Sequence, residues 1–338
     1  MTRPPAPDEA RFGVGIRGDG VAAAACARLL EAAGVPVGVR AAPRRDVPVV
    51  MVSDAARLLL CDVFDRPTLF DGLPRVWRRV VDWGGREQAL PHGATLVSGD
   101  AMRAALRGGP PGDERASDFV IHATLPPGCA PYRFGERLAN ATRVRLRATT
   151  CREECRIEAV RSGWLFLVPE TDDHGVLLAI GADADTLLGE SRSVAPRVQP
   201  IGAIGVFPAA PSLTLPLCGP QWLACGSAAM SFDPICGDGA AQSAREAILA
   251  AAVIAEIASG GDADALLLHY QSMLIATMRR HLALCAQFYR SGGDSDWWRA
   301  QHAALVEGHE WCTGMLMTLP EPRFMLRGFR LVPRLAAA

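Results

Sequence analysis

Apolar and polar positions alternate in short blocks at the start of the chain. Phe12 to Arg17 predicts a strand, Ala24, Leu29, Leu30 and Ala33 follow at helical spacing, Gly34 ends that helix, and Val35 to Arg40 predicts a second strand. Gly18-Asp19-Gly20 stands between the first strand and the helix. The opening therefore reads as a β-turn-α-β unit of the Rossmann type.

Further along, Ala41 to Pro48 is irregular, Ser53 to Val63 predicts a helix, and Pro67 to Pro91 reads as a Trp-rich connection. Ser98 to Arg107 predicts a helix capped by Ser98 or Asp100. A Gly/Pro loop over Gly108 to Glu114 then leads into a buried strand at Asp118 to Ala123. From Arg143 to Leu188 the period shortens to two, with strands expected at Cys155 to Val160, Trp164 to Val168 and Val176 to Ile180. Arg143, Arg145 and Arg147 share one strand face, either a solvated face or a docking surface for an acidic peptide or carboxylate. Trp222 to Gly226 returns as a short buried strand, Gly239 to Ala258 as a long helix, and Asp262 to about Val306 as mostly helix. The simplest architecture is an α/β nucleotide-binding domain built from 8–60, 95–130 and 215–262. It is interrupted by a substrate domain with an antiparallel sheet (61–94 and 131–214) and followed by a helical region (263–338).

With 338 residues, 49% of them apolar, the chain can bury a large core, and its net charge of −1 excludes general polyanion binding, so no nucleic-acid partner is expected. Met1 to Pro7 lacks the apolar core of a secretion signal, and Ala247 to Ile257 is too short to span a bilayer. A cytoplasmic location without a membrane partner follows as the expectation. Ten cysteines, from Cys26 to Cys312, show neither disulfide-framework nor zinc-ribbon spacing, and His302 and His309 give no metal signature, so no metal is expected. All 35 basic residues are arginine. Chemistry that requires a lysine amine is excluded.

Gly18 and Gly20 permit a tight turn whose backbone N–H groups face a pyrophosphate, and small Ala23 permits close helix-to-strand packing. Two positions depart from the dinucleotide pattern. The second strand ends at Arg40 where an acid for the adenosine ribose is expected, and Asp19 inside the turn repels phosphate unless it points outward.

The segment Trp222-Leu-Ala-Cys-Gly226-Ser227-Ala228-Ala229-Met-Ser-Phe-Asp233-Pro234-Ile-Cys236-Gly237-Asp238-Gly239 resembles the C-terminal flavin motif of FAD-dependent aromatic hydroxylases and flavin-dependent halogenases. Ser227 stands where that family carries an acid toward the ribityl chain. The Asp118-Phe-Val-Ile-His122-Ala123-Thr124 strand resembles the family's Val-Ile-Asp-Ala-Thr-Gly, with His122 for the acid and Leu125 for the glycine. Gly163-Trp164-Leu-Phe166-Leu-Val168-Pro169 resembles its substrate-domain strand, with Phe166 for the second Trp of the halogenase motif. The four segments occur in the family's order over about two-thirds of the chain. That order implies a glutathione-reductase-like FAD-binding domain.

The resemblance implies FAD as cofactor, held by Gly18, Gly20, Ala23, Ser227, Asp233, Pro234, Gly237 and Gly239, with His122 and Cys236 as candidate catalytic residues near it. It also implies a monooxygenase in which a flavin C4a-hydroperoxide hydroxylates an electron-rich aromatic small molecule or peptide. The lysine used by the family's halogenases is absent, which disfavours halogenation, and a missing second Asp-Gly motif points to a separate flavin reductase. The link from Leu106 to Asp118 is too short for the adenine-contacting hairpin of relatives. The Phe232 to Gly239 ending followed by Arg245-Glu246-Ala247 looks closest to flavoproteins that modify peptide tryptophan during tryptophylquinone maturation. Two other readings stand beside this one: a non-catalytic binding partner or chaperone on the same fold, and a flavin dehydrogenase.

Overall fold

The computed structural model describes residues 12–43, 47–108, 117–147 and 152–334. Most of the Gly108 to Glu114 loop and Cys151 lie outside the described residues. Among the described residues the strands form four sheets, of five, eight, three and two strands.

The first sheet holds the nucleotide-type unit. Val14–Arg17 lies inside it, next to the edge strand, and pairs in parallel with Val37–Arg40 on one side and with the central strand Phe119–His122 on the other. Trp222–Ala224 extends the sheet beyond Phe119–His122, again in parallel. The chain thus reverses its direction of strand addition at Val14–Arg17, which makes the carboxyl end of that strand the crevice where open α/β sheets receive ligands. The Val21–Ala32 helix packs on this sheet against the Gly239–Ala258 helix, through buried Ala22, Ala23, Ala25 and Cys26. Small residues on both helices let their axes approach closely.

The eight-stranded sheet runs in the spatial order Val198–Pro208, Leu138–Leu146, His174–Ile180, Gly163–Pro169, Glu154–Val160, Arg75–Trp83, Arg86–Val97 and Val50–Ser53. Its neighbours are antiparallel except where Arg75–Trp83 meets Glu154–Val160. The expected arginine face is present: Arg143, Arg145 and Arg147 are exposed while Val144 and Leu146 between them are buried. Arg143 reaches Glu170 at 3.5 Å, so this face is a solvated one carrying at least one surface ion pair.

The Pro67 to Pro91 segment is not a mere connection. It holds the Arg75–Trp83 strand and the start of the Arg86–Val97 strand, joined at Gly84-Gly85, both with positive φ (62° and 76°). A Gly-Gly pair in the left-handed region is the geometry of a two-residue hairpin, and it stands openly in the sequence. Adjacent Arg78 and Arg79 and a register shift between Val76 and Arg78 break the alternation that would have exposed it. Val198–Pro208 has no such signal, since it is a largely exposed edge strand with two irregularities.

Helix ends follow their caps. Ser53 Oγ accepts from the Ala56 N–H, and Ser98, not Asp100, caps the Gly99–Leu106 helix by accepting from Ala101. After Gly239–Ala258 come the Ala263–Gly292 and Asp296–Met317 helices, antiparallel neighbours joined by a short turn, and then a Phe324–Arg327 and Arg330–Pro333 hairpin. Among the described residues no helix is long and apolar enough to cross a membrane.

Candidate functional site

Gly18 leaves the first strand with φ +133°, and its N–H donates to the Arg40 carbonyl at 2.8 Å. A Cβ at this position would come within 2.9 Å of Ala123 Cβ, so only glycine lets the turn pass under the end of the Phe119–His122 strand. Gly20 then opens the Val21–Ala32 helix with no side-chain cap. The first N–H groups of that helix have no intrahelical acceptor and face the crevice. Ala23 is almost wholly buried beneath them.

A second backbone approach meets the first. Cys225 N–H donates to the His122 carbonyl, and Gly226 follows with φ +66°, where a Cβ would lie 2.6 Å from Ala22 Cβ. Gly226–Ala228 makes one tight turn, so Ser227 and Ala228 stand opposite Asp19 and Gly20. Together with Ala42 and Ala123 they line a cavity of about 230 Å³. That is below the roughly 300–1,000 Å³ of a whole ligand site, so the enclosed part has room for only a portion of a dinucleotide-sized ligand. Asp19 does line this cavity, but Arg103 approaches its carboxylate at 4.0 Å and offsets part of its charge.

The Asp233–Gly239 segment is held differently. Asp233 is buried, and its carboxylate ion-pairs with equally buried Arg137 at 3.2 Å. The same Oδ2 accepts from the Tyr289 hydroxyl at 2.9 Å, and Oδ1 accepts from the Ile235 N–H at 3.1 Å. Tyr289 in turn accepts from the Trp164 indole N–H at 3.0 Å. The aromatic strand residue and the Asp-Pro turn, separate motifs in the sequence, are therefore one hydrogen-bonded unit. Arg137 also donates to Gln301 and lies 4.8 Å from the Tyr289 ring centre. Asp233 shapes the turn from below, and the backbone above it is what remains open to a ligand.

Pro234 begins that turn and Gly237 closes it in the left-handed region, with φ +59°. The Arg79 guanidinium reaches across Gly237, 3.2 Å from where a Cβ would stand, and its Nε is buried without a hydrogen-bond partner. Gly239 is exposed with nothing within 4 Å of a Cβ position, so the start of the Gly239–Ala258 helix is open. The Arg79 guanidinium, bonded to His92 at 3.1 Å but with its Nε–H unused, lies near an open helix N-terminus, and the two together attract negative charge.

The two candidate catalytic residues have different surroundings. His122 is buried, edge-on to Trp222 at 5.8 Å, and burial followed by nearby Arg17 lowers its pKa, which keeps the imidazole neutral. Cys236 lies against His281 and Cys285: its Sγ is 3.6 Å from His281 Nδ1 and 4.0 Å from Cys285 Sγ. Hydrogen bonding from Cys285, then from His281, lowers the Cys236 pKa to about 6 against the opposing effect of burial. Trp297 and Trp298 pack at a 4.8 Å centroid distance, and Trp298 is buried with its indole N–H donating to the Val160 carbonyl, a core role. Arg79, Arg137, His281, Cys285 and Tyr289 carry no motif. Only the His281 to Cys285 spacing, one helical turn, offered a sequence signal.

No family model matches the chain, and no curated protein matches it by sequence. Solved structures match its fold. The peptidyl tryptophan dihydroxylase QhpG, essential for tryptophylquinone cofactor biogenesis, aligns over 86% of this chain and 79% of its own at TM-score 0.69 and 20% identity. CmlS, a flavin-dependent halogenase, aligns over 92% and 72% at TM-score 0.72 and 16% identity. The p-nitrophenol 4-monooxygenase PnpA from Pseudomonas putida aligns over 91% and 97% at TM-score 0.59 and 14% identity. The chain thus has the fold of flavin-dependent halogenases and monooxygenases, with its two glycine turns meeting at the crevice of the parallel sheet.

Proposed function

We propose that this protein is an FAD-dependent monooxygenase that hydroxylates an electron-rich aromatic ring. The observation that carries the reading is the convergence of Gly18–Ala23 and Gly226–Ala228 on one crevice, with the open Gly237–Gly239 turn and Arg79 next along the chain's path. The residues fit the cofactor: two positions where a Cβ would clash leave room for backbone against diphosphate, and the buried unpartnered Arg79 Nε awaits an acceptor.

In this reading Gly18, Gly20 and Ala23 bind the diphosphate, Ser227 hydrogen-bonds the ribityl chain, and Pro234, Gly237 and Gly239 bring backbone against the ring system. Asp233 holds that turn in place from beneath. Bound and reduced, FAD supplies oxygen activation and transfer to the aromatic substrate. Arg79 and the Gly239–Ala258 helix N-terminus stabilise negative charge there. In this reading neutral His122, which packs edge-on to Trp222, is the candidate proton acceptor, and Cys236 lies within the turn itself.

QhpG acts on peptidyl tryptophan, and its likeness to this chain supports a peptide tryptophan as the finer substrate reading. The absence of lysine speaks for hydroxylation over halogenation. Electrons come from a separate flavin reductase, and both proteins work in the cytoplasm.

The test is a titration of the purified chain with oxidised and chemically reduced FAD, followed by flavin fluorescence and absorbance. Saturable binding that Gly226→Val abolishes supports the reading. No binding of either redox form overturns it and leaves the fold as a binding scaffold. If FAD binds, rapid oxygen consumption with an aromatic peptide separates a monooxygenase from a dehydrogenase.

A further inference from the structure

We propose that Cys236, His281 and Cys285 form a peroxide-responsive thiol site, in which Cys236 is the reacting thiolate and Cys285 the thiol that converts its oxidised form to a disulfide. Cys236 lies within the Asp233–Gly239 turn, but the site does not depend on flavin binding.

Its geometry rests on the histidine. The Asp233 N–H donates to His281 Nε2 at 2.9 Å, so the proton of the neutral ring sits on Nδ1, and Nδ1 faces Cys236 Sγ at 3.6 Å. Stacking on Phe232, at 3.9 Å and 6° between planes, holds the ring in that orientation. Cys285 Sγ lies 4.0 Å from Cys236 Sγ. Cys236 is only partly buried whereas Cys285 is fully buried, so oxidant reaches the first and not the second. Cys236, with a pKa lowered to about 6, and Cys285, pushed up by its bond to Cys236 and by burial, divide the roles of thiolate and thiol between them. Asp233 opposes the Cys236 thiolate electrostatically, but its charge is paired with Arg137.

The three ligand-type atoms are 3.6 to 4.0 Å apart, near the edges of about 3.6–3.8 Å expected for a tetrahedral zinc site. The hydrogen bond to His281 argues the other way. A metal-bound imidazole donates through its second nitrogen, whereas here that nitrogen accepts, and the Nδ1 lone pair is not free for a cation. A second sulfur pair provides the contrast. Cys26 and Cys225 are 3.9 Å apart but both are fully buried without a histidine, and the Cys225 pKa is raised.

In the first step the Cys236 thiolate attacks hydrogen peroxide. The O–O bond breaks, the sulfur is oxidised to sulfenic acid, and hydroxide leaves. In the second, Cys285 sulfur attacks Cys236 sulfur: the S–S bond forms, the S–O bond breaks, and the hydroxyl leaves as water with the Cys285 proton. The sulfur atoms close by about 2 Å to reach bonding distance. A small-molecule thiol reverses the reaction.

The experiment treats the purified full chain with one equivalent of hydrogen peroxide, alkylates the remaining thiols, and digests after arginine. The reaction should link the 198–245 peptide through Cys236 to the His281–Arg290 peptide, with dithiothreitol abolishing the link and the Cys26–Cys225 pair staying reduced. Iodoacetamide labelling of Cys236 should rise with a midpoint near pH 6, against about 8.5 for an ordinary thiol, and H281F should raise that midpoint. C285S should trap Cys236 sulfenic acid for capture by dimedone. Stoichiometric zinc in the purified protein, a labelling midpoint near 8.5, or peroxide-treated chain without the Cys236–Cys285 link overturns the proposal.

Discussion

The two glycine-bearing turns of the crevice are built on opposite principles. The Gly18–Ala23 turn is held by backbone bonds and by the absence of Cβ atoms, and its one charged residue, Asp19, meets Arg103 only at 4.0 Å near solvent. The Asp233–Gly239 turn stands on a buried polar chain of Arg137, Asp233, Tyr289 and Trp164 that reaches into the antiparallel sheet. The first turn can therefore lose its polar side chains at little cost. The second cannot, because each removal strands a partner without water.

The largest test of this contrast is Arg137→Met, which leaves the Asp233 carboxylate buried without its cation. Breaking such a pair costs about 3–5 kcal/mol, so denaturant unfolding should shift by that amount, while Arg103→Ala at the first turn should stay within about 1 kcal/mol. Gly18→Ala sharpens the other side. Its φ of +133° and the Ala123 contact predict a cost of about 1–3 kcal/mol, read both in thermal unfolding and in weakened FAD binding by fluorescence titration.

Glu246 sits where the two regions join, with its carboxyl beneath Gly226 and accepting from Gln242 at 3.0 Å. Burial raises its pKa from 4.5 to about 8. Between those values the folded chain holds a proton that the unfolded chain has released, so stability falls as pH rises from about 4.5 to 8. The slope approaches at most about 1.4 kcal/mol per pH unit, and Glu246→Gln should flatten the dependence of the unfolding midpoint on pH. The smallest effect is expected at Gly239→Ala. With open space around the new methyl group, helix propensity should stabilise the chain by less than about 1 kcal/mol, because Gly239 is the first residue of its helix, while FAD affinity falls if backbone there lies against the ring system. A variant that is more stable yet binds flavin less well separates the ligand-facing part of the second turn from its buried support.

Much of the parallel unit was legible in the chain. Strands around Val14–Arg17, Val37–Arg40 and Phe119–His122 and the Gly239–Ala258 helix all follow from local period and turn residues. The Gly84-Gly85 hairpin was equally local but was obscured by charged neighbours on a bulged strand. The polar support of the site was not legible. Arg137 lies 96 positions from Asp233, and Tyr289 a further 56 beyond it, and neither sits in a motif. Only folding brings them together.

Sequence alone determined where the backbone must pass closely, because a glycine flanked by a strand and a small-residue helix leaves few local conformations. It determined also that no lysine can act. Tertiary structure decided what each polar residue does: Asp233 lies beneath the turn instead of facing a ligand, Cys236 gains a histidine and a second thiol from a helix 45 positions away, and Arg79 arrives over Gly237 from another sheet. Periodicity records which face of an element is buried, but the partner of a buried polar group depends on long-range packing, to which a local pattern is blind.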